Sequence, residues 1–451
     1  MHRTASRLHL LRGPAAIGAT LACTLLAVAV TLGAETVPAG HKRYCPPGYA
    51  PLRLCPPAPA APPAVDQHSP AREPEAAKTP AETPPPAPEA PAEPFAPPSV
   101  GYLGTPDNFS PNMFGDAGPM PMFITIQQIR TGNFNNPDPK IVVGGAGRTK
   151  LSEGNNPLPR DRVIFDYDNF QHTRLADGGL NVQRFSPGLE KTFFDRRASI
   201  EVRLPFAQTL SSSLFTDDLS STDTQFGDLH LTLKGLVVRN EVFNVATGLG
   251  LSLPTASDTR VRFDDGTDIA RIQNEAVIVT PYVAALFTPN DRFFAQTWLA
   301  CDIDSRGNPV QLNPGFFGGT LMPAGTLNDP ALMQFDTQIG YWLWRNENHA
   351  ALVRGLAPFM ELHYATTLQN ADSVRLNQLV YSNGSNRINE FNITAGTTAQ
   401  LGDNCTLGLG VVAPLRSGDD RFFNWQVGLR LNYFFGPTAR AREARSGFSG
   451  F

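Results

Sequence analysis

The last regular stretch of the chain, Phe423 to Phe435, alternates without a break. Phe423, Trp425, Val427, Leu429, Leu431, Tyr433 and Phe435 occupy one parity, and Asn424, Gln426, Gly428, Arg430 and Asn432 the other. Successive side chains of a strand point to opposite faces, so this segment predicts a strand that is apolar on one side and polar on the other. Aromatic residues at both ends of the apolar face, with aliphatic ones between, suit a strand that crosses a bilayer with a polar lumen behind it. A single strand of a soluble sandwich would read the same, so the pattern has to repeat to mean anything.

It does repeat. Val163, Phe165 and Tyr167 alternate with Asp166 and Asp168; Ile200, Val202 and Leu204 with Ser199, Glu201 and Arg203; Leu229, Leu231 and Leu233 with His230, Thr232 and Lys234. Further along, Val245, Leu249, Leu251 and Leu253 alternate with small residues, Phe335 to Leu343 with Asp336, Gln338, Gly340 and Trp342, and Met360, Leu362 and Tyr364 with Glu361 and His363. This is period two over many strands.

The connections alternate as well. Tight turns are expected at Asp195–Arg197, Arg239–Glu241, Pro289–Asp291, Arg345–Asn348 and Gly402–Asn404. Between them lie the longer Ala207–Phe226, Pro254–Asn274, Asp302–Pro330, Gln369–Asn389 and Pro414–Arg421. Short turns at one end and long loops at the other are the habit of transmembrane barrels, whereas the Greek-key crossings of a sandwich do not sort this way. The expected fold class is therefore all-β, a closed antiparallel transmembrane β-barrel of about twelve strands. The strands are expected to begin near residues 161, 184, 198, 227, 243, 275, 292, 332, 350, 389, 405 and 422.

Composition divides the rest of the chain. Arg3, Arg7 and Arg12 precede an apolar stretch from Ala15 to Leu32, which reads as an export signal over residues 1–34, with an uncleaved anchor as the alternative. Residues 35–99 form a Pro-rich segment, which from Pro56 to Pro98 is mainly Pro, Ala and Glu. That stretch cannot bury a core, and its roughly forty residues, extended at about 3.1 Å each, would reach on the order of 100 Å. Residues 100–160 form an irregular stretch before the barrel, a plug for the lumen or a decoration of its rim, with strand-like pieces at Met122–Ile129 and Lys140–Gly145. The barrel itself spans 161–436 and a tail covers 437–451.

A net charge of −4 gives no reason to expect a nucleic-acid partner. Cys45 and Cys55 flank a short Pro/Gly-containing loop and either close a small disulfide or stay reduced, while Cys301 and Cys405 fall at opposite ends of the wall, too far apart to bond.

The lumen-facing candidates are Asp166, Asp168, Glu201, Arg203, His230, Lys234, Asp336, Glu361, His363 and Arg430. They either create a transverse field that selects permeants or pair with one another across the interior. No catalytic residue is expected, because G-x-S-x-G is missing and Ser211–Ser213 and Ser220–Ser221 fall in a long loop. No metal and no cofactor are expected either: Asp264–Asp268 lacks the spacing of an EF-hand loop and reads as a solvated turn. Trp298, Trp342, Trp344 and Trp425 are candidates for interfacial belts, although the register points Trp342 inward.

Three stretches, PGLEKTFFDRRASIEVRLPF (Pro187–Phe206), FGDLHLTLKGLVV (Phe226–Val238) and ATGLGLSLPTA (Ala246–Ala256), resemble the outer-membrane barrel family named for the meta-cleavage pathway of phenol degradation. The resemblance covers Asp161 to Gly436 and implies a channel for small, often hydrophobic molecules. It departs at the C-terminus, where a tail over 437–451 follows Gly436 and ends in an aromatic, Phe451.

The expected function is passive passage of small molecules across an outer membrane, with the loops at 254–274 and 302–330 as gates. Expected partners are outer-membrane lipid, a small-molecule permeant, the barrel-assembly machinery and, through the Pro-rich arm, peptidoglycan. The alternatives are a structural or adhesive envelope barrel without transport, and a soluble secreted sandwich that binds carbohydrate.

Overall fold

The computed structural model describes residues 110–117, 124–128 and 148–439, apart from 174–178, 209–212, 216–223, 263–264, 316–317, 347, 349 and 384–385. The expected signal, the Pro-rich arm, Cys45 and Cys55, the Lys140–Gly145 piece, Ser211, Ser212, Ser220, Ser221, Asp264 and the tail from residue 440 lie outside the described residues.

Twelve antiparallel strands form the wall. They are β1 (Arg162–Thr173), β2 (Leu180–Phe193), β3 (Ala198–Arg203, continued by Phe206–Gln208) and β4 (Thr224–Phe226, continued by Leu229–Arg239). Next come β5 (Phe243–Leu253), β6 (Ile278–Phe287), β7 (Phe293–Asp304) and β8 (Leu332–Tyr341). The ring is completed by β9 (Val353–Thr367), β10 (Asn389–Leu401), β11 (Cys405–Pro414) and β12 (Trp425–Phe434). Each strand pairs with its chain neighbours, and β1 pairs with both β2 and β12, so that Asp166 lies opposite Ser186 on one side and Arg430 on the other. The sheet is closed. A sandwich would need two stacked sheets with open edges, so the soluble reading falls.

The strands exist because of their alternation. In β8, Asp336 and Gln338 are buried while Phe335 and Ile339 are exposed, and β6, β9 and β12 repeat the scheme. Large apolar side chains are exposed on the outside of almost every strand, among them Val163, Phe165, Leu189, Ile200, Leu233, Val283, Leu299, Ile339, Leu409 and Tyr433. So continuous an apolar jacket is foreign to a monomeric soluble protein and suits hydrocarbon.

Two aromatic residues that the sequence reading placed on the lipid side are buried inside. Phe423 is buried against Phe170, with ring centroids 5.4 Å apart, because β12 begins only at Trp425 and the preceding chain turns inward, with Asn424 N–H donating to the Gln171 carbonyl. Trp298, on the inward parity of β7, is also buried, its ring tilted against Tyr282 with centroids 5.4 Å apart and clustered with Met113 and Leu151; it belongs to the interior, not to an interfacial belt. Trp342 is interior too, with Phe294 and Ala357, whereas Trp344 is exposed. Cys301 and Cys405 form no disulfide.

The long connections are structured. Thr259–Arg262, Asp268–Ile272, Asn308–Leu312, Met322–Leu327 and Ser213–Phe215 form a second, five-stranded sheet at the long-loop end. Its core is Val261, Ile269, Ile272, Val310, Leu312 and Leu327, joined by Val374, Leu379 and Tyr381 from the connection after β9. The expected gates at 254–274 and 302–330 thus belong to one packed cap. Within it, Asp268 pairs with Arg262 at 2.8 Å and Asp265 accepts from the Thr267 N–H, so these carboxylates are spent on turn and cap.

Candidate functional site: a lumen threaded by a hairpin

The ten sequence candidates are all buried on the inside of the wall. What buries them is the chain before β1. Ser110–Ala117 lies antiparallel to the returning Lys150–Asn155: the Met113 N–H donates to the Asn155 carbonyl at 2.7 Å and the Gly154 N–H to the Phe114 carbonyl at 3.3 Å. Between these limbs, Ile124–Gln128 pairs with Leu379–Asn383 at the long-loop end. The return limb then descends from Arg148, which pairs with Asp329 and with Asp302 near the end of β7, to Arg160 beside the start of β1. A twelve-strand wall is wider than an eight-strand one that side chains alone can fill, and this hairpin takes up the difference.

The hairpin is held by charge on one side. Both Glu361 carboxylate oxygens accept backbone N–H bonds, from Phe114 at 2.7 Å and Gly115 at 2.8 Å. Lys150 Nζ donates to Asp116 at 2.8 Å and to Asp336 at 2.6 Å. His363 has Asp336 on Nδ1 at 2.9 Å and Glu361 on Nε2 at 3.0 Å. Carboxylates at both ring nitrogens make the imidazole a donor from each. Asp116, Asp336 and His363 have the types and closeness of a metal-ligand set. Lys150 already bridges the two carboxylates, however, and supplies the positive charge a cation would bring.

A second group gathers around Glu153 of the return limb. Arg184 pairs with Glu153, Arg430 reaches Asp168 at 2.8 Å and Glu153 at 3.6 Å, and Arg430 Nε donates to the Phe114 carbonyl at 2.8 Å. The Arg430 guanidinium lies 4.3 Å from the centroid of the Phe114 ring, a cation–π contact. That ring fits because the wall is bare beneath it: a Cβ on Gly428 would come within 2.7 Å of it and one on Gly410 within 3.0 Å. Gly115 has φ +82°, which a side chain would resist at the point where the hairpin turns past Glu153.

Toward the short-turn end the pairs form a chain around the wall. Asp166 bonds Arg203 at 2.8 Å and Arg203 bonds Glu201 at 2.6 Å. Arg162 bonds Glu201 at 2.8 Å and Glu190 at 2.6 Å, and Lys234 joins Glu190 at 3.0 Å to Asn155 and Asn156 of the hairpin. Nine of the ten candidates therefore stand in ion pairs or charge-assisted bonds. His230 is the exception: neither ring nitrogen has a partner.

The sequence reading missed Arg162, Arg184, Glu190, Glu390, Asp116, Lys150 and Glu153. The first four stand on inward parities of strands already recognised: carrying the alternation back from Val163 reaches Arg162, and reading the same alternation along β2 and β10 would have reached the other three. The last three stand on a segment without periodicity, and nothing local marks them.

No family model and no curated protein matches the chain. Solved structures do resemble it. An outer membrane channel from Pseudomonas putida F1 aligns at a TM-score of 0.42 and 13% identity, covering 62% of this chain and 97% of the other. The β domain of the Bordetella autotransporter BrkA aligns at 0.39 and 14%, covering 62% and 100%. The Pseudomonas putida toluene transporter TodX aligns at 0.30 and 8%, covering 60% and 87%. At these identities and scores the likeness is one of barrel fold alone.

Proposed function

We propose that this chain is an outer-membrane channel for small molecules whose lumen is occluded by its own N-terminal hairpin. The observation that supports it most is the division of labour inside the barrel. The wall closes on itself through its own ladder. Among the described residues, the two limbs inside the barrel make no ladder with the wall and are held to it by side chains, and Ile124–Gln128 pairs with the connection after β9 instead, so the limbs can shift while the wall stays intact. The apolar jacket supports a place in a lipid bilayer, and the outer membrane is where closed barrels of this kind reside. The specific family of phenol-degradation barrels, and the hydrophobic permeants it implies, rest on the resemblance of three short stretches. The assembly machinery and peptidoglycan are partners proposed from the sequence alone.

The test is solute entry into proteoliposomes made with the full chain and compared with protein-free vesicles. The channel reading expects osmotic swelling in small solutes that grows with the amount of protein inserted. Heat-modifiable, folded protein that admits nothing would instead favour a structural envelope barrel.

A further inference from the structure

Most interior charge is committed to pairs within the wall or between wall and hairpin, and three of the neutral polar side chains left without partners stand together on β4 and β5. The His230 ring nitrogens and the Thr232 and Ser252 hydroxyls are buried and make no hydrogen bond. They are neighbours. His230 and Ser252 are directly opposite in the β4–β5 ladder, and Thr232 follows His230 by two residues on the same inward face. Between them lies Gly250, where an added Cβ would stand 3.4 Å from His230 Cε1, 3.2 Å from Thr280 Cβ and 2.7 Å from Leu151 of the hairpin. The hairpin faces this wall with an apolar side: Leu151 and Met113 cluster with Tyr282 and Trp298. Thr149, two residues before Leu151, also has an unpartnered hydroxyl.

Buried hydroxyls and imidazoles are rarely left without partners, and a set of them in one place points to something that completes their bonds. One imidazole and two hydroxyls offer several donors and acceptors and no formal charge. Arg203, opposite His230 in the β3–β4 ladder, has its Nε and Nη1 on Glu201 and Asp166 and leaves Nη2 as one further donor. The two carboxylates on that guanidinium already offset its charge, so a carboxylate or ammonium ligand would stay uncompensated there.

We infer that His230, Thr232 and Ser252 line a binding site beside the hairpin for small uncharged hydrogen-bonding molecules, polyols being the simplest class. This rests on the channel reading and names its permeant chemistry: neutral solutes bind on the β4–β5 side while the charged side keeps the hairpin seated. It sets aside the transverse-field selection considered from the sequence, because those charges face each other.

The experiment is thiol labelling of Ser252→Cys in the full chain, with the five native cysteines changed to serine and folding checked by heat-modifiable mobility. The reagent is an uncharged hydroxyethyl methanethiosulfonate and the competitor is xylitol. Ser199→Cys serves as comparator, since the Ser199 hydroxyl is bonded to Glu190 at 2.7 Å on the charged side. Labelling at 252 is expected to be at least about tenfold faster than at 199, to slow in xylitol but not in potassium gluconate, and to be lost when His230→Phe fills the site. Equal rates at the two positions would overturn the site. Fast labelling that xylitol leaves unchanged would also overturn it, as a place that holds water only. Because labelling needs no transport, a site that passes this test in vesicles that do not swell would stand while the channel reading failed.

Discussion

Lys150 shows how single residues hold this molecule. It is buried between Asp116 and Asp336, so replacing it by methionine leaves two buried carboxylates facing each other beside His363. Removing one member of a buried ion network costs roughly 3–5 kcal/mol. Lys150→Met is expected to lower the unfolding free energy, read from urea titration of the folded, heat-modifiable band, by that order, and an unchanged midpoint would show the bridge to be idle. Asp329 makes a prediction about pH. Burial in the cap pushes its carboxyl up, Arg148 pulls it down, and Asp304, Asp302 and Asp228 push it up again, to about 6. A carboxyl that holds its proton more tightly folded than unfolded lowers stability as pH rises through the interval between its two pKa values. The cap is therefore expected to be more stable at about pH 5 than at about pH 7.5. Hydrogen exchange at residues 308–312 and 322–327, corrected for intrinsic rate, should be slower at the lower pH, with Asp329→Asn removing the difference. Faster exchange in acid would refute the sign.

At the scale of elements, the wall was legible and its filling was not. Period two and the alternation of short and long connections place β3, β5, β8, β10 and β11 at the residues where they begin. Each of these strands carries its own two-faced pattern, and that pattern is what folds it. Phe423 breaks the rule because parity holds only while the backbone stays extended, and the chain bends at Asn424. The hairpin carries no such pattern. Many of its residues are buried by wall strands far along the chain, as with Phe114 and Glu361, so no local window reveals their surroundings. Wall glycines were the one available hint, since a bare inward position leaves room for something. Gly428→Val tests that hint. It should push the Phe114 ring off the wall and loosen the hairpin without opening the ladder. The expected readout is faster proteolysis within residues 110–160 in a barrel of unchanged heat-modifiable mobility, and equal cleavage to the parent would deny the contact any role.

For the whole molecule, the two kinds of interaction do different work. Backbone pairing and an apolar exterior make the wall, which depends on lipid. Buried ions and side-chain hydrogen bonds join wall to hairpin, and these can be exchanged for other partners at smaller cost than a ladder can. Single-channel recording in planar bilayers, with the full chain set beside Lys150→Met, tests this most directly. The account predicts small or rare openings for the parent and more frequent, larger ones for the variant, at the same number of inserted barrels. Silent membranes from both proteins, with folded barrels shown to be present, would contradict it.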